Sequence, residues 1–122
     1  MEAYPDAGSG SIDVSQLFND ILSPFTFKTP KEILPSAWVG HIPFAFWLVE
    51  RTQPAVFVEL GTFHGCSYLA FCQAVEGLNL STRYYAVDTW TGDAHSGSYG
   101  EDIYQALARY NETHYSRFVR SP

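Results

Sequence analysis

The sequence predicts an α/β fold, a partial doubly wound parallel sheet of about three strands with flanking helices, preceded by N-terminal helices. Three observations carry this. Ala55-Val56-Phe57-Val58-Glu59-Leu60 is a continuous apolar run bounded by Pro54 and Gly61, the pattern of a parallel strand covered on both faces. Tyr68, Phe71, Cys72 and Val75 then recur at helical spacing until Gly77 stops them. Arg83-Tyr84-Tyr85-Ala86-Val87 reads as a second strand ending at Asp88. Strand, helix and strand fit within about 33 residues, the size of a βαβ unit with a right-handed crossover.

The elements follow in chain order. Residues 1–11 hold Gly8, Ser9, Gly10 and Ser11 with little apolar content, and read as a flexible lead. Residues 12–53 form an N-terminal helical segment. Its first helix places Val14, Leu17, Phe18 and Ile21 on one face with Asp13 as N-cap. Pro24 ends that helix, and Pro24, Pro30 and Pro35 bar an uninterrupted helix over 24–35. A second helix spans about Ser36–Arg51, with Trp38, Ile42, Ala45 and Val49 on a common face and Pro43 forcing a kink or a restart. Phe44, Phe46, Trp47 and Leu48 make it apolar almost all round, which belongs against a sheet or in an interface. Residues 54–122 carry the sheet. Beyond the first two strands come a glycine-rich loop over Thr89–Gly100, a helix over Glu101–Thr113 set by Ile103, Leu107 and Tyr110, and a third strand starting within Ser116–Arg120.

Composition narrows the function classes. The 122 residues carry a formal net charge of -6, with seven Lys and Arg against thirteen Asp and Glu. No basic field exists to attract a nucleic acid backbone or an anionic membrane surface. With 46% hydrophobic and 16% charged residues the chain offsets its ordering entropy by burial, as one domain at most. No apolar run approaches the roughly 18–20 residues of a membrane span and no signal-peptide pattern opens the chain, so a cytoplasmic setting is expected. Cys66 and Cys72 lie on different faces of one predicted helix, which argues against a disulfide and leaves no zinc motif.

The chemistry concentrates in Glu59-Leu60-Gly61-Thr62-Phe63-His64-Gly65-Cys66-Ser67, where a strand passes through two glycines into a helix N-terminus. Gly61 permits a tight turn and Gly65 a close backbone approach, while the helix start offers free N–H donors. Ligands of open α/β sheets bind beyond the carboxyl ends of the strands, where this loop and Asp88 both fall. The spacing G-x-x-x-G does not match the dinucleotide fingerprint, and no G-K-[ST] supplies a phosphate lysine. Asp88 can instead accept hydrogen bonds from two adjacent ribose hydroxyls, which selects an adenosine-type ligand. Glu59 in an apolar strand needs a partner or a raised pKa, which favours a functional role. Strand-end aspartates also cap turns, and a two-glycine turn can form without a ligand.

This stretch resembles the E-L-G-T-x-x-G-x-S motif of class I S-adenosylmethionine-dependent methyltransferases, within them the catechol O-methyltransferase-like group. Val87-Asp88-Thr89-Trp90-Thr91-Gly92-Asp93, followed by His95, Gly97, Tyr99 and Gly100, is similar to a subgroup often encoded near bacterial cell-surface sugar and glycosyltransferase genes. The resemblance runs from about Trp38 to the end of the chain. It implies a Rossmann-like cofactor-binding domain over 54–122 and S-adenosyl-L-methionine as cofactor. By the same resemblance Gly61, Thr62, Gly65 and Ser67 surround the methionine part, Asp88 holds the ribose hydroxyls, Thr89 or Trp90 lies beside the adenine, and Glu59 orients the loop or the cofactor's amino group. The family's later strands, with an acidic motif and substrate-placing residues, have no match before Pro122. The expectation is therefore the cofactor-binding half of a methyltransferase acting on a small molecule or sugar, inactive as this chain alone, with no catalytic base assigned.

Two rivals stand beside it. A non-catalytic fragment could fold by association through an exposed sheet edge or the aromatic helix 44–49, giving a homo-oligomer. A nucleotide-sugar or NAD-type oxidoreductase domain is disfavoured by the missing third glycine. His41, His64, His95 and His114 are scattered without ligand spacing, and only His95, in the loop after Asp93, stands near the expected pocket. Cys66 at a helix start favours a thiolate, against the plainer reading of a small buried residue.

Overall fold

A computed structural model describes Asp13, Ser15, Gln16 and residues 21–95, 97–115 and 119–120. The lead over 1–11 and most of the first predicted helix lie outside the described residues; Asp13 Oδ1 accepts from the Ser15 and Gln16 N–H groups at 3.0 and 3.4 Å, as an N-cap does.

Among the described residues five helices or helical turns and two sheets follow. The proline-bearing stretch forms a short 3₁₀ turn at Pro24–Phe27, capped by Ser23 Oγ accepting from the Phe25 N–H. Pro43 restarts rather than kinks the second helix. A 3₁₀ turn at Ala37–His41 passes into α1 at Ile42–Thr52, with the proline in the first turn, where its missing N–H costs nothing. Helix α1 buries Ile42, Ala45, Phe46 and Val49 and ends in a left-handed Gln53. Its outer side is used too: Trp47 Nε1 and an Arg51 guanidinium N–H both donate to the Ile21 carbonyl, at 3.0 and 2.7 Å.

Strand β1 (Val56–Leu60), helix α2 (Cys66–Gly77) and strand β2 (Arg83–Val87) reproduce the expected unit. The two strands pair in parallel from Val56 opposite Arg83 to Leu60 opposite Val87. Helix α2 is buried nearly all round, from Cys66 through Val75, because α1 covers one side and the sheet another. Phe57 of β1 and Tyr84 of β2 stack at 5.0 Å, and Phe71 of α2 packs on Phe57 at 4.3 Å. The buried Gln73 amide ties the proline-rich strap to α2, donating to the Thr29 carbonyl at 3.0 Å and accepting from the Lys31 N–H at 2.8 Å. Cys66 and Cys72 are both buried and free.

The expectation that β1 is covered on both faces is corrected. Phe57 and Glu59 turn toward α2, but Val56, Val58 and Leu60 are 44%, 54% and 79% exposed and Val87 is 37% exposed. An apolar run records that a strand can be buried on both sides; the covering layer has to come from other residues, and none of those described supplies it. A second correction concerns 89–100, read as a loop. It contains a two-residue hairpin, β3 (Gly92–Asp93) paired antiparallel with β4 (Gly97–Ser98). Gly92 and Gly97 both have φ near +80 to +90, which lets the ribbon form. A β-carbon on Gly92 would lie 1.9 Å from the Gly97 carbonyl oxygen. Helix α3 (Glu101–His114) and β5 (Val119–Arg120) close the described chain, and β5 pairs in parallel with β2 to give the order β1-β2-β5. Tyr68 Oη donates to Asn111 Oδ1, fastening α3 to α2.

Candidate functional site

The site is built where β1 and β2 end side by side. After Leu60 the chain turns at Gly61 with φ +82, and the Gly61 N–H continues the ladder onto the Val87 carbonyl at 2.8 Å. Phe63 adopts φ +52, and Gly65 adopts φ +92 while its N–H closes on the Thr62 carbonyl at 2.9 Å. Three left-handed residues within five reverse the chain sharply enough to start α2 beside the strand it came from. The two glycines serve different ends. A β-carbon on Gly61 would meet nothing within 4 Å, so this backbone faces open space, whereas one on Gly65 would lie 2.6 Å from Leu107 Cδ1 of α3.

Asp88 holds the loop in that shape. Its Oδ2 accepts from the Thr62 and Phe63 N–H groups at 2.7 and 2.9 Å, and its Oδ1 accepts from the Trp90 N–H at 2.8 Å. Tyr99 Oη donates across both oxygens at 3.0 and 3.1 Å. Burial pushes the carboxyl up, but the Phe63 and Trp90 N–H groups, the Tyr99 hydroxyl and the Thr62 N–H outweigh it and hold Asp88 below the ordinary aspartate value. The Tyr99 phenol, partly buried and donating to that carboxylate, is pushed up to about 12 and stays protonated.

Glu59 lies beneath the loop. Ser67 Oγ donates to its Oε1, while Oε2 and Thr62 Oγ1 are buried, with the Thr62 and Tyr84 hydroxyls near the carboxyl but outside good hydrogen-bond geometry. Burial pushes the Glu59 carboxyl up to about 7; the hydroxyls of Ser67, Thr62 and Tyr84 oppose that rise and the Asp88 charge adds to it. Burial likewise raises the Cys66 thiol, against a backbone hydrogen bond at Leu34. The helix start therefore does not make it a thiolate, and the plainer reading of Cys66 as a small buried residue applies.

Between the strand ends and the hairpin opens a cleft of about 610 Å³, lined by the turn residues Leu60, Gly61 and Phe63, by Val87, Asp88 and Thr89 after β2, and by Gly92, Asp93 and Tyr99 of the hairpin. Of the residues the sequence pointed to, Gly61, Asp88 and Thr89 face this cleft. Thr62 is buried under the turn, Gly65 packs against Leu107, and Ser67 is engaged with Glu59. Trp90, 8% exposed, sets its ring edge against Tyr104 of α3 at 5.0 Å and is not among the lining residues. His95 is exposed, its N–H turned back to Asp93 Oδ1 at 2.8 Å. Sequence reasoning gave Tyr99 no role at the site. Its contact with Asp88 depends on the hairpin folding back, and no periodicity signals that. Among the described residues no group of three His, Cys, Asp or Glu could hold a metal ion, and no helix is long and apolar enough to cross a membrane.

The residues suit a cationic adenosine ligand. The carboxylates of Asp88 and Asp93 lie at the cleft and the open face of Gly61 leaves room for close approach, while Glu59 lies beneath the turn and is not among the lining residues.

Comparison with known proteins gives two matches. A family model described as "Methyltransferase domain" matches residues 58–121. The uncharacterized protein y4gI of Sinorhizobium fredii (strain NBRC 101917 / NGR234) is 52% identical over 85 residues, 70% of this chain but 9% of that protein, so the chain spans about a tenth of its relative's length. No solved structure matches.

Proposed function

Because the chain belongs to the methyltransferase domain family, we propose that its glycine-turn cleft binds S-adenosyl-L-methionine and that the whole protein methylates a small-molecule or sugar hydroxyl, in the manner of the catechol O-methyltransferase-like group. When bound, the cofactor supplies an electrophilic methyl group. This chain's part is to hold and orient it. Asp88 would take the ribose hydroxyls at the end of β2, Gly61 would let the backbone come close, Thr89 would border the adenine, and Glu59, beneath the turn with Ser67 fixing its rotamer, would orient the loop. The reading assigns donor binding to these residues and no general base. The observation that carries it is a strand-end carboxylate, Asp88, facing a cleft beside the open side of the Gly61 turn.

Calorimetric titration of the folded chain with S-adenosylhomocysteine tests this directly. One saturable site is expected, weakened at least tenfold by Asp88→Asn. Absence of heat in a sample shown to be folded overturns it.

A second reading draws on the open face of β1 and β2. The exposed Val56, Val58, Leu60 and Val87 favour self-association through the sheet, which is compatible with donor binding. Sedimentation velocity across a concentration series would show a dimer that Val58→Lys disperses; a monomer at every concentration refutes it.

A further inference from the structure

The Asp88 carboxylate has no acceptor position to spare. A carboxylate offers about four lone-pair sites. Three are taken by the N–H groups of Thr62, Phe63 and Trp90, and the remaining capacity of both oxygens is spanned by the single phenol of Tyr99 at 3.0 and 3.1 Å. The three backbone donors belong to the turns that shape the site and cannot leave without unmaking it. Only the phenol is dispensable. It reaches the carboxylate from the cleft side, where Tyr99 is a lining residue, and since Oδ2 already accepts two N–H groups and Oδ1 one, its departure opens one position, on Oδ1, for one hydroxyl of a ribose.

The element that brings the phenol there is weakly held. The β3–β4 ribbon has two residue pairs, Gly92 with Ser98 and Asp93 with Gly97, and its strands are largely exposed. Besides that ladder, the Tyr99 N–H reaches the Thr91 carbonyl at 3.2 Å, and the Tyr99 ring lies 5.0 Å from that of Phe63. A hairpin of two pairs is not stable by itself in water, and the tyrosine is one of the contacts that dock it. Low-stability elements of this kind are the ones that move when ligands bind.

Resting on the cofactor reading above, we propose that in the free protein Tyr99 occupies the acceptor position of Asp88 that a ribose hydroxyl would take, so that cofactor entry exchanges the phenol for that hydroxyl and releases the hairpin from the carboxylate. Tyr99 is thus an affinity-setting residue that competes with the ligand. It keeps the carboxylate satisfied and the glycine turn preformed when the cleft is empty, at the cost of weaker binding.

The test is Tyr99→Phe, which keeps the ring against Phe63 and removes only the competing hydroxyl. Calorimetric titration with S-adenosylhomocysteine should show the variant binding about tenfold more tightly, equivalent to about 1.4 kcal/mol and near the lower end for a hydrogen bond to a charged group. Amide hydrogen exchange supplies a second readout. Residues 91–99 should exchange faster in the ligand-free variant than in the ligand-free wild type, and the ligand should speed their exchange in the wild type only. Unchanged or weaker binding by a folded Tyr99→Phe, with the wild type binding normally, overturns the exchange and leaves the cofactor reading standing. No binding by either protein removes the cofactor reading and this inference together.

Discussion

Replacing Glu59 by glutamine should make the protein more stable at neutral pH and leave it nearly unchanged at pH 4.5. The carboxyl is buried beside α2, and burial pushes its pKa from the ordinary 4.5 up to about 7. A carboxyl raised in the folded state binds its proton more tightly there than in the unfolded chain. Its contribution is therefore fully present below pH 4.5 and is lost as pH rises through about 7. The loss is about 1.4 kcal/mol for each pH unit between the two values, about 3 kcal/mol in all. Glutamine keeps an acceptor for the Ser67 hydroxyl and puts an amide where the orphaned Oε2 lies, near the Thr62 hydroxyl that is itself buried without a partner. Asp88 does not blur the window, because its carboxyl is held below the ordinary aspartate value and its stabilisation is lost only under more acid conditions. Urea denaturation of both proteins at matched pH from 4.5 to above 7 measures the difference directly, and the histidines common to both cancel. Parallel stability curves, or a glutamine variant that is weaker throughout, would refute the argument that desolvation governs Glu59.

Further outcomes follow from steric detail. Gly92→Ala and Gly97→Ala impose similar strain at positive φ, but only the first drives a β-carbon to 1.9 Å from a backbone oxygen; Gly92→Ala should abolish hairpin protection in hydrogen exchange, while Gly97→Ala costs about 1 kcal/mol and retains it. Equal effects would mean that the ribbon does not pack as described. Phe46→Ala removes a fully buried ring set edge-on against Phe25 at 5.4 Å and should cost about 3–5 kcal/mol in chemical denaturation. Val58→Thr on the open sheet face should stay within about 0.5 kcal/mol, and a cost comparable to the first would show that this face is covered.

Much of the framework was legible locally. Pro54 and Gly61 delimit β1, α2 ends with Gly77, and Pro43 interrupts the helix there, by a kink or a restart, since proline fixes φ and glycine permits torsions that other residues resist. The glycine turn and its neighbouring acid were visible for the same reason, and Glu59 stood out because a carboxyl within an apolar strand must be solvated, paired or protonated. Which of these it does was not legible: the raised pKa comes from α2 lying over the strand, and the orphaned oxygen from the distribution of nearby hydroxyls.

The sequence by itself determined the parallel βαβ unit, the glycine turn at the strand ends and the two carboxyls near it, because apolar period, glycine and proline act through the chain's own backbone. Only the tertiary structure decided that Trp90 packs toward α3, that β1 leaves Val56, Val58 and Leu60 uncovered, and that Tyr99 lies across both oxygens of Asp88. Each of those depends on which distant segment arrives at a given face. A side chain's burial and its hydrogen-bond partner are properties of the neighbours it meets, and the residue type sets only what it can do once they are there.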